Sequence, residues 1–301
     1  MPHKKAKRFI YKNARPLDFA RWKYLFEKGN REEVLTILTS YQNDDGGFGH
    51  GLEPDSLNPY SSPIQTWVAT RIIEEVNLED KNHPIIQGVL RYLSSGKDFD
   101  GHTWSNTVPT NNDYPHAPWW QHQPTSERSY NPTASLLGFI LKYADKSSDL
   151  YQQARVLVPE AYAYFKAHLS LAEMHTISCF VELYEYLNAS SEVDLVDLNE
   201  FYTLLLGEIK QLITYDRSKW GVDYICKPSL FIRNQASAFF SDNKEICQYE
   251  VEFILKTQNK DGTWDIPWNW SNYPEEWSLS KNWWKAEVIL KNLQFVKAIQ
   301  P

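Results

Sequence analysis

The chain lacks any apolar run near the roughly 18 residues of a membrane-spanning helix, so no transmembrane segment is expected. It has only three cysteines, Cys179, Cys226 and Cys247. They are scattered and cannot all pair with one another, which fits a reduced, cytoplasmic protein rather than a disulfide scaffold. No stretch of useful length alternates apolar and polar residues, so strands are not expected. No nucleophile elbow, phosphate loop or helix-borne zinc-protease motif occurs. Positive charge is in deficit: 31 Lys and Arg against 38 Asp and Glu leave a net −7, which argues against a nucleic-acid partner. The cations that do cluster, Lys4, Lys5, Lys7 and Arg8, are not followed by a hydrophobic stretch. Residues 1–15 are therefore expected to form a solvated basic tail or extension and not a secretory signal, with contact to a membrane surface as the alternative.

Aromatic side chains are abundant: 12 Trp, 18 Tyr and 14 Phe make 15% of the chain, about twice ordinary usage. Helical periodicity dominates. Ile64, Trp67, Val68, Ile72 and Val76 share one face after the cap Ser61-Ser62-Pro63. The run after Asn131-Pro132-Thr133 is apolar nearly all round, which predicts a buried helix. Further helices are expected near 16–28, 31–41, 83–95, 148–168, 170–188, 195–214, 230–241, 243–258 and 281–299. Two connections lack periodicity, 97–130 and 263–282, and long irregular connections of this kind usually serve as lids or binding loops.

The joints between helices repeat. Gln42-Asn43-Asp44-Asp45-Gly46-Gly47-Phe48 and Gln258-Asn259-Lys260-Asp261-Gly262-Thr263-Trp264 both read Gln-Asn-x-Asp-Gly-x-aromatic, with weaker copies at Asp100 to Trp104 and at Trp220-Gly221. The Asp-Gly predicts a turn with Gly at positive φ, the Gln a bond to free helix-end carbonyls, and the aromatic a plug between helix pairs. A period of roughly 40–60 residues implies helix hairpins in tandem.

The two full copies resemble the glutamine–tryptophan repeat of squalene and oxidosqualene cyclases. The stretch from Asp45-Gly46-Gly47-Phe48-Gly49-His50-Gly51 to Ser62-Pro63-Ile64-Gln65-Thr66-Trp67 resembles a repeat of protein prenyltransferase β subunits. That resemblance implies an all-α fold: one α/α toroid spanning 1–301, with inner and outer helices around a central cavity and with 97–130 and 263–282 as capping loops. It also implies an isoprenoid-like or other hydrophobic small molecule in an aromatic-lined cavity.

The acid motif of the cyclases, Asp-x-Asp-Asp, is absent. Its nearest substitutes are Asp44-Asp45, in the repeat turn, and Glu53-Pro54-Asp55, just before a helix. Asp55 or Glu53 is the candidate acid, with His116 and Glu276 as polar groups at the cavity mouth. Trp67, Trp119, Trp120, Asn131, Trp268 and Trp277 are the candidate substrate contacts. His175, Asp223 and Cys226 are the nearest match to the zinc ligands of prenyltransferases, but their order and spacing differ, and neither a metal nor a cofactor is expected. Two alternatives stay open. One is a carbohydrate-active α/α barrel using a carboxylate pair such as Asp55 and Glu276; the other is a binding scaffold without catalysis.

Overall fold

The computed structural model describes residues 2–125, 127–169 and 173–300. Among these residues it is all-α, with eleven α-helices and only isolated antiparallel bridges in place of strands. The first five are α1 (Pro2–Asn13), α2 (Pro16–Phe26), α3 (Arg31–Leu38), α4 (Pro63–Glu75) and α5 (Pro84–Ser94). They are followed by α6 (Thr133–Tyr143), α7 (Asp149–Ala167), α8 (Met174–Asn188), α9 (Leu198–Leu212), α10 (Lys244–Thr257) and α11 (Pro274–Ile299). Among the described residues, no helix is long and apolar enough to cross a membrane. The chain divides into two compact units, Met1–Ser40 with Ile213–Pro301, and Tyr41–Leu212.

In the central unit the helices pack alternately. α4 lies on α6 and α6 on α8, while α5 lies on α7, giving two rows. α6 is buried from Thr133 to Leu141, as its apolar circumference predicts. α4 starts where Pro63 and the Ser62 cap direct it, the Ser62 hydroxyl accepting from the Gln65 amide. In the other unit α11 packs on α1, α2 and α10, and buries Ala286, Ile289, Leu290, Leu293 and Phe295.

Three expectations need correction. Residues 1–15 are not a solvated tail: α1 buries Ala6, Phe9 and Ile10 and leaves its cations outside, an amphipathic pattern masked in sequence by the density of lysine. No α-helix forms over 230–241. Asn234 accepts from the Ala236 amide and successive i+3 bonds run from Ser237 to Asn234 and from Phe240 to Ser237, so local turns win over the apolar pattern. The irregular segment expected over 263–282 ends at Tyr273, because Pro274 with Glu275 and Glu276 starts α11 seven residues early. Residues 97–130 do lack an α-helix among the described residues, holding only short 3-10 turns, Pro109–Asp113 and Pro118–Trp120. The first residues of the helix expected over 170–188 (170–172) lie outside the described residues; from Met174 it is α8.

The repeat turn is built twice, once in each unit, with the same bonds. Asn43 N donates to Gly47 O at 2.9 Å and Gly46 N to Asn43 O at 2.9 Å; Asn259 N donates to Thr263 O at 2.9 Å and Gly262 N to Asn259 O at 3.1 Å. Asp45 and Asp261 each accept the amide two residues on. Gly46 and Gly262 both sit at positive φ. The glutamine amides close the turn itself. Gln42 Nε2 donates to Gly46 O at 2.9 Å and to Ile85 O at 3.1 Å, and Gln258 Nε2 to Gly262 O at 3.0 Å, so the amide shuts the turn and, in the first copy, ties it to α5. Phe48, Trp104, Trp220 and Trp264 are all buried.

Trp264 adds a polar tie, its Nε1 donating to Ile254 O at 3.0 Å near the end of α10. Trp264→Phe should keep most of the apolar filling but orphan that buried carbonyl, a loss of roughly 1–3 kcal/mol. Urea unfolding checks this, and an unchanged midpoint would reduce Trp264 to filler.

Candidate functional site

The site with the densest polar burial lies in the central unit, between the repeat turn and α4. After buried Phe48 the backbone turns through two left-handed residues, His50 at φ 59° and Gly51 at φ 71°. For histidine that conformation is uncommon and costs about 1–3 kcal/mol, strain that clusters at functional loops. His50 Nε2 lies 2.9 Å from Asn43 Oδ1, which ties the ring back to the repeat turn.

The loop that follows carries Glu53 and Asp55, only 8% and 2% exposed. α4 holds it from below through the fully buried Gln65: Oε1 accepts from Leu52 N at 2.9 Å and Nε2 donates to Asn58 O at 3.0 Å. Thr66 Oγ1 accepts from Phe48 N. From the other side the loop is strapped to the 108–122 segment. Leu57 N donates to Pro115 O at 3.0 Å, Ala117 N to Asp55 O at 2.9 Å, and Ser56 pairs with His116 as an isolated bridge. Asn58 and Asn111 join at 2.9 Å, and Asn111 Nδ2 reaches Trp120 O at 3.0 Å. The fold thus brings Glu53, Asp55 and His116 onto paired backbone segments.

His116 is fixed. Its Nδ1 lies 2.6 Å from the Tyr114 carbonyl and its Nε2 3.1 Å from Gln121 Oε1. With both ring nitrogens engaged by neighbours, His116 is held in one orientation. Around these residues stand exposed rings: Tyr60 at 52% and Trp119 at 46%, with half-buried Tyr114 packed edge-on to Tyr60 at 6.0 Å. Trp120 is partly buried and its Nε1 finds no acceptor among the described residues.

Asp45, the other substitute for a cyclase acid, is held as an anion. Burial opposes this, yet bonds from Ser61 Oγ at 2.6 Å, Lys97 at 3.0 Å and Gly47 N keep its carboxyl below the ordinary value. Asp45 is a turn residue with the wrong polarity for a proton donor.

Two further expected contacts, Trp67 and Asn131, belong to a second cluster on the α4, α6 and α8 row. Trp67 Nε1 donates to Glu182 Oε2 at 3.2 Å, Arg71 Nε reaches Glu182 Oε1 at 3.2 Å and stacks 4.8 Å from the Trp67 ring, and Ser135 Oγ donates to the same carboxylate. One turn earlier on α8, the Cys179 thiol faces Asn131 Oδ1 at 3.6 Å, and burial pushes that thiol well above its ordinary value, with the Glu182 charge adding to it. Glu182, Arg71 and Ser135 were missed by sequence reasoning. The available signal was a lone acid inside the apolar run Ile177 to Leu183.

Glu276, Trp268 and Trp277 fall in the other compact unit. Glu276 is half-buried in the first turn of α11; Trp268 packs on Trp284 at 5.1 Å and on Tyr224 at 5.6 Å, and Trp277 packs on Trp270 at 5.5 Å. His175 is on α8, whereas Asp223 and Cys226 precede α10 in the other unit. Among the described residues, no three metal-ligating side chains converge. Compared with protein-family models, curated proteins and solved structures, the chain matches none.

Proposed function

We propose that this protein is a cytoplasmic α/α-toroid enzyme of the kind its repeats resemble, acting on an isoprenoid-like or other hydrophobic small molecule, with Asp55 and Glu53 as its acid groups. One observation carries the reading: two buried carboxylates sit on a strained loop strapped to a segment that exposes aromatic rings. Burial favours the protonated form of a carboxyl and so suits an acid that donates to an alkene. Ring faces stabilise a developing cation by about 0.5–2 kcal/mol per contact. His116 orients the 114–117 strap, and Trp119 and Trp120 supply walls. Three reduced, buried thiols fit a reducing compartment. A second reading, a carbohydrate substrate, draws support from Tyr60 and Trp119, exposed rings beside the polar Asn58–Asn111 node, as sugar stacking requires.

Asp55→Asn tests both readings. With the isosteric amide the melting temperature should stay within about 2 °C, the shift for roughly 1 kcal/mol in a chain of this size. Geranylgeraniol should raise the melting temperature of the wild type and not that of the variant. A shift with maltoheptaose alone would favour the sugar reading. Collapse of the variant's stability, with no ligand shift in the wild type, would make Asp55 a turn residue.

A further inference from the structure

In the Tyr41–Leu212 unit, a pocket of about 310 Å³ lies where the turn between α6 and α7 meets the connection from α8 to α9. The sequence builds its walls locally. Asp145 accepts from the Ser147 amide, and Ser148 caps α7 by accepting from Tyr151 N, so Tyr151 and Arg155, four residues apart, share one face of the new helix. Gln152 Nε2 donates back to Lys146 O at 2.6 Å and holds the turn that carries Lys146. At the centre is Glu192, its side chain only 11% exposed. Its Oε1 accepts from the Tyr151 hydroxyl and from Lys146 Nζ at 3.1 Å, and its Oε2 lies 3.1 Å from Arg155 Nε. The Tyr151 bond, opposed by burial and helped by Lys146 and Arg155, holds the Glu192 carboxyl below its ordinary value.

Glu192 engages only part of what surrounds it. Among the described residues, the two Nη atoms of Arg155 donate no hydrogen bond, and the Asp194 carboxylate, also on the pocket wall, has neither a hydrogen bond nor an ion pair. Lys146 Nζ uses two of its three donors, on Glu192 and on Ser191 Oγ at 3.0 Å. A guanidinium fork and a carboxylate left over on one pocket suit a ligand that carries both signs. Two cations, Lys146 and Arg155, stand against two carboxylates, Glu192 and Asp194, so the pocket has no net charge and disfavours a bare anion such as phosphate. Its volume is at the lower end of ligand sites, and its lining is polar apart from Leu195 and the Tyr151 ring. We propose that this pocket binds a free α-amino acid with a neutral polar side chain, its carboxylate on the Arg155 fork and Lys146, its ammonium on Asp194. The proposal goes beyond the loop of Glu53 and Asp55 and does not depend on it.

The test is calorimetric titration of the full chain with L-glutamine and with L-asparagine, each beside the acid that lacks its α-amino group and the amine that lacks its α-carboxylate. At least one of the two amino acids should saturate with a Kd of about 1 mM or tighter. Both of its truncated forms should bind at least about tenfold more weakly, because each leaves one charge of the pocket unanswered. Inorganic phosphate should not displace it. Asp194→Asn and Arg155→Lys should each weaken binding about tenfold. Asp194→Asn should leave the melting temperature where it is, since Asp194 has no bond to lose. Saturation by neither amino acid, truncated forms that bind as tightly as their parent, displacement by phosphate, or full binding in both variants would overturn the proposal. Glu192 would then be an ion-pair hub that ties α7 to the connection between α8 and α9.

Discussion

Gly46→Ala is expected to destabilise the central unit by roughly 2–5 kcal/mol, combining about 1–2 kcal/mol for a left-handed alanine with about 1–3 kcal/mol for overpacking. A Cβ at this position would stand 2.1 Å from Gly88 O on α5, where no side chain can move aside. Gly262→Ala should behave alike, since its Cβ would meet the Lys5 backbone at 2.3 Å on α1. Gly101 supplies the control. It has a φ of 97° but nothing within 4 Å of an added Cβ, so Gly101→Ala should show the backbone cost alone. Urea unfolding of the three variants separates the terms. Equal losses at Gly46 and Gly101 would mean that the repeat turn is only a turn; a larger loss at Gly46 makes it a clasp that seats one helix against the next joint.

That clasp marks how far the sequence carries. Asp-Gly before a buried aromatic is a local signal, so the turn, its positive φ and the burial of Phe48 and Trp264 were all legible. The partner of each glutamine was not, because Ile85 lies 43 residues from Gln42. The N-terminal helix illustrates a different failure. Its apolar face is only Ala6, Phe9 and Ile10, too thin to stand out among five Lys and Arg side chains, and its burial depends on packing with α11. At 230–241 the apolar residues misled, since Asn234 and Ser237 close local turns that no periodicity count registers. For the candidate site, Glu53, Asp55 and His116 could be nominated by type. That Ser56 and His116 pair is a contact spanning 60 residues, and that both His116 nitrogens are engaged follows from how the 114–121 segment turns back on its own ring, which composition does not register. Glu182 escaped because its importance lies in three donors from two other helices, Trp67 and Arg71 on α4 and Ser135 on α6.

Arg21→Met is expected to cost the α1, α2 and α11 unit about 3–5 kcal/mol, the usual loss when one member of a buried ion cluster is removed. Asp18 is fully buried, bridged by Arg15 Nε at 2.8 Å and by Arg21 at 3.6 Å, and Arg21 Nη1 reaches Glu287 Oε2 at 2.5 Å on α11. Without the guanidinium, Asp18 keeps Arg15 and Glu287 keeps Lys291, but the cation that both carboxylates share is gone. The pH dependence identifies the mechanism. Burial would raise Glu287, yet the charges of Arg21 and Lys291 overcome it and hold the carboxyl far below its ordinary value. A depressed folded value contributes stability that is present above the unfolded carboxylate range, near pH 4.3, and is lost as pH falls through that range toward the folded value. The gap between wild type and Arg21→Met should therefore be widest above about pH 5 and narrow below about pH 4. Arg21→Met with Glu287→Leu should recover part of the loss, because replacing both partners removes the stranded charge. A gap that stays constant from pH 3 to 7 would assign the effect of Arg21 to the packing of its stem against α11.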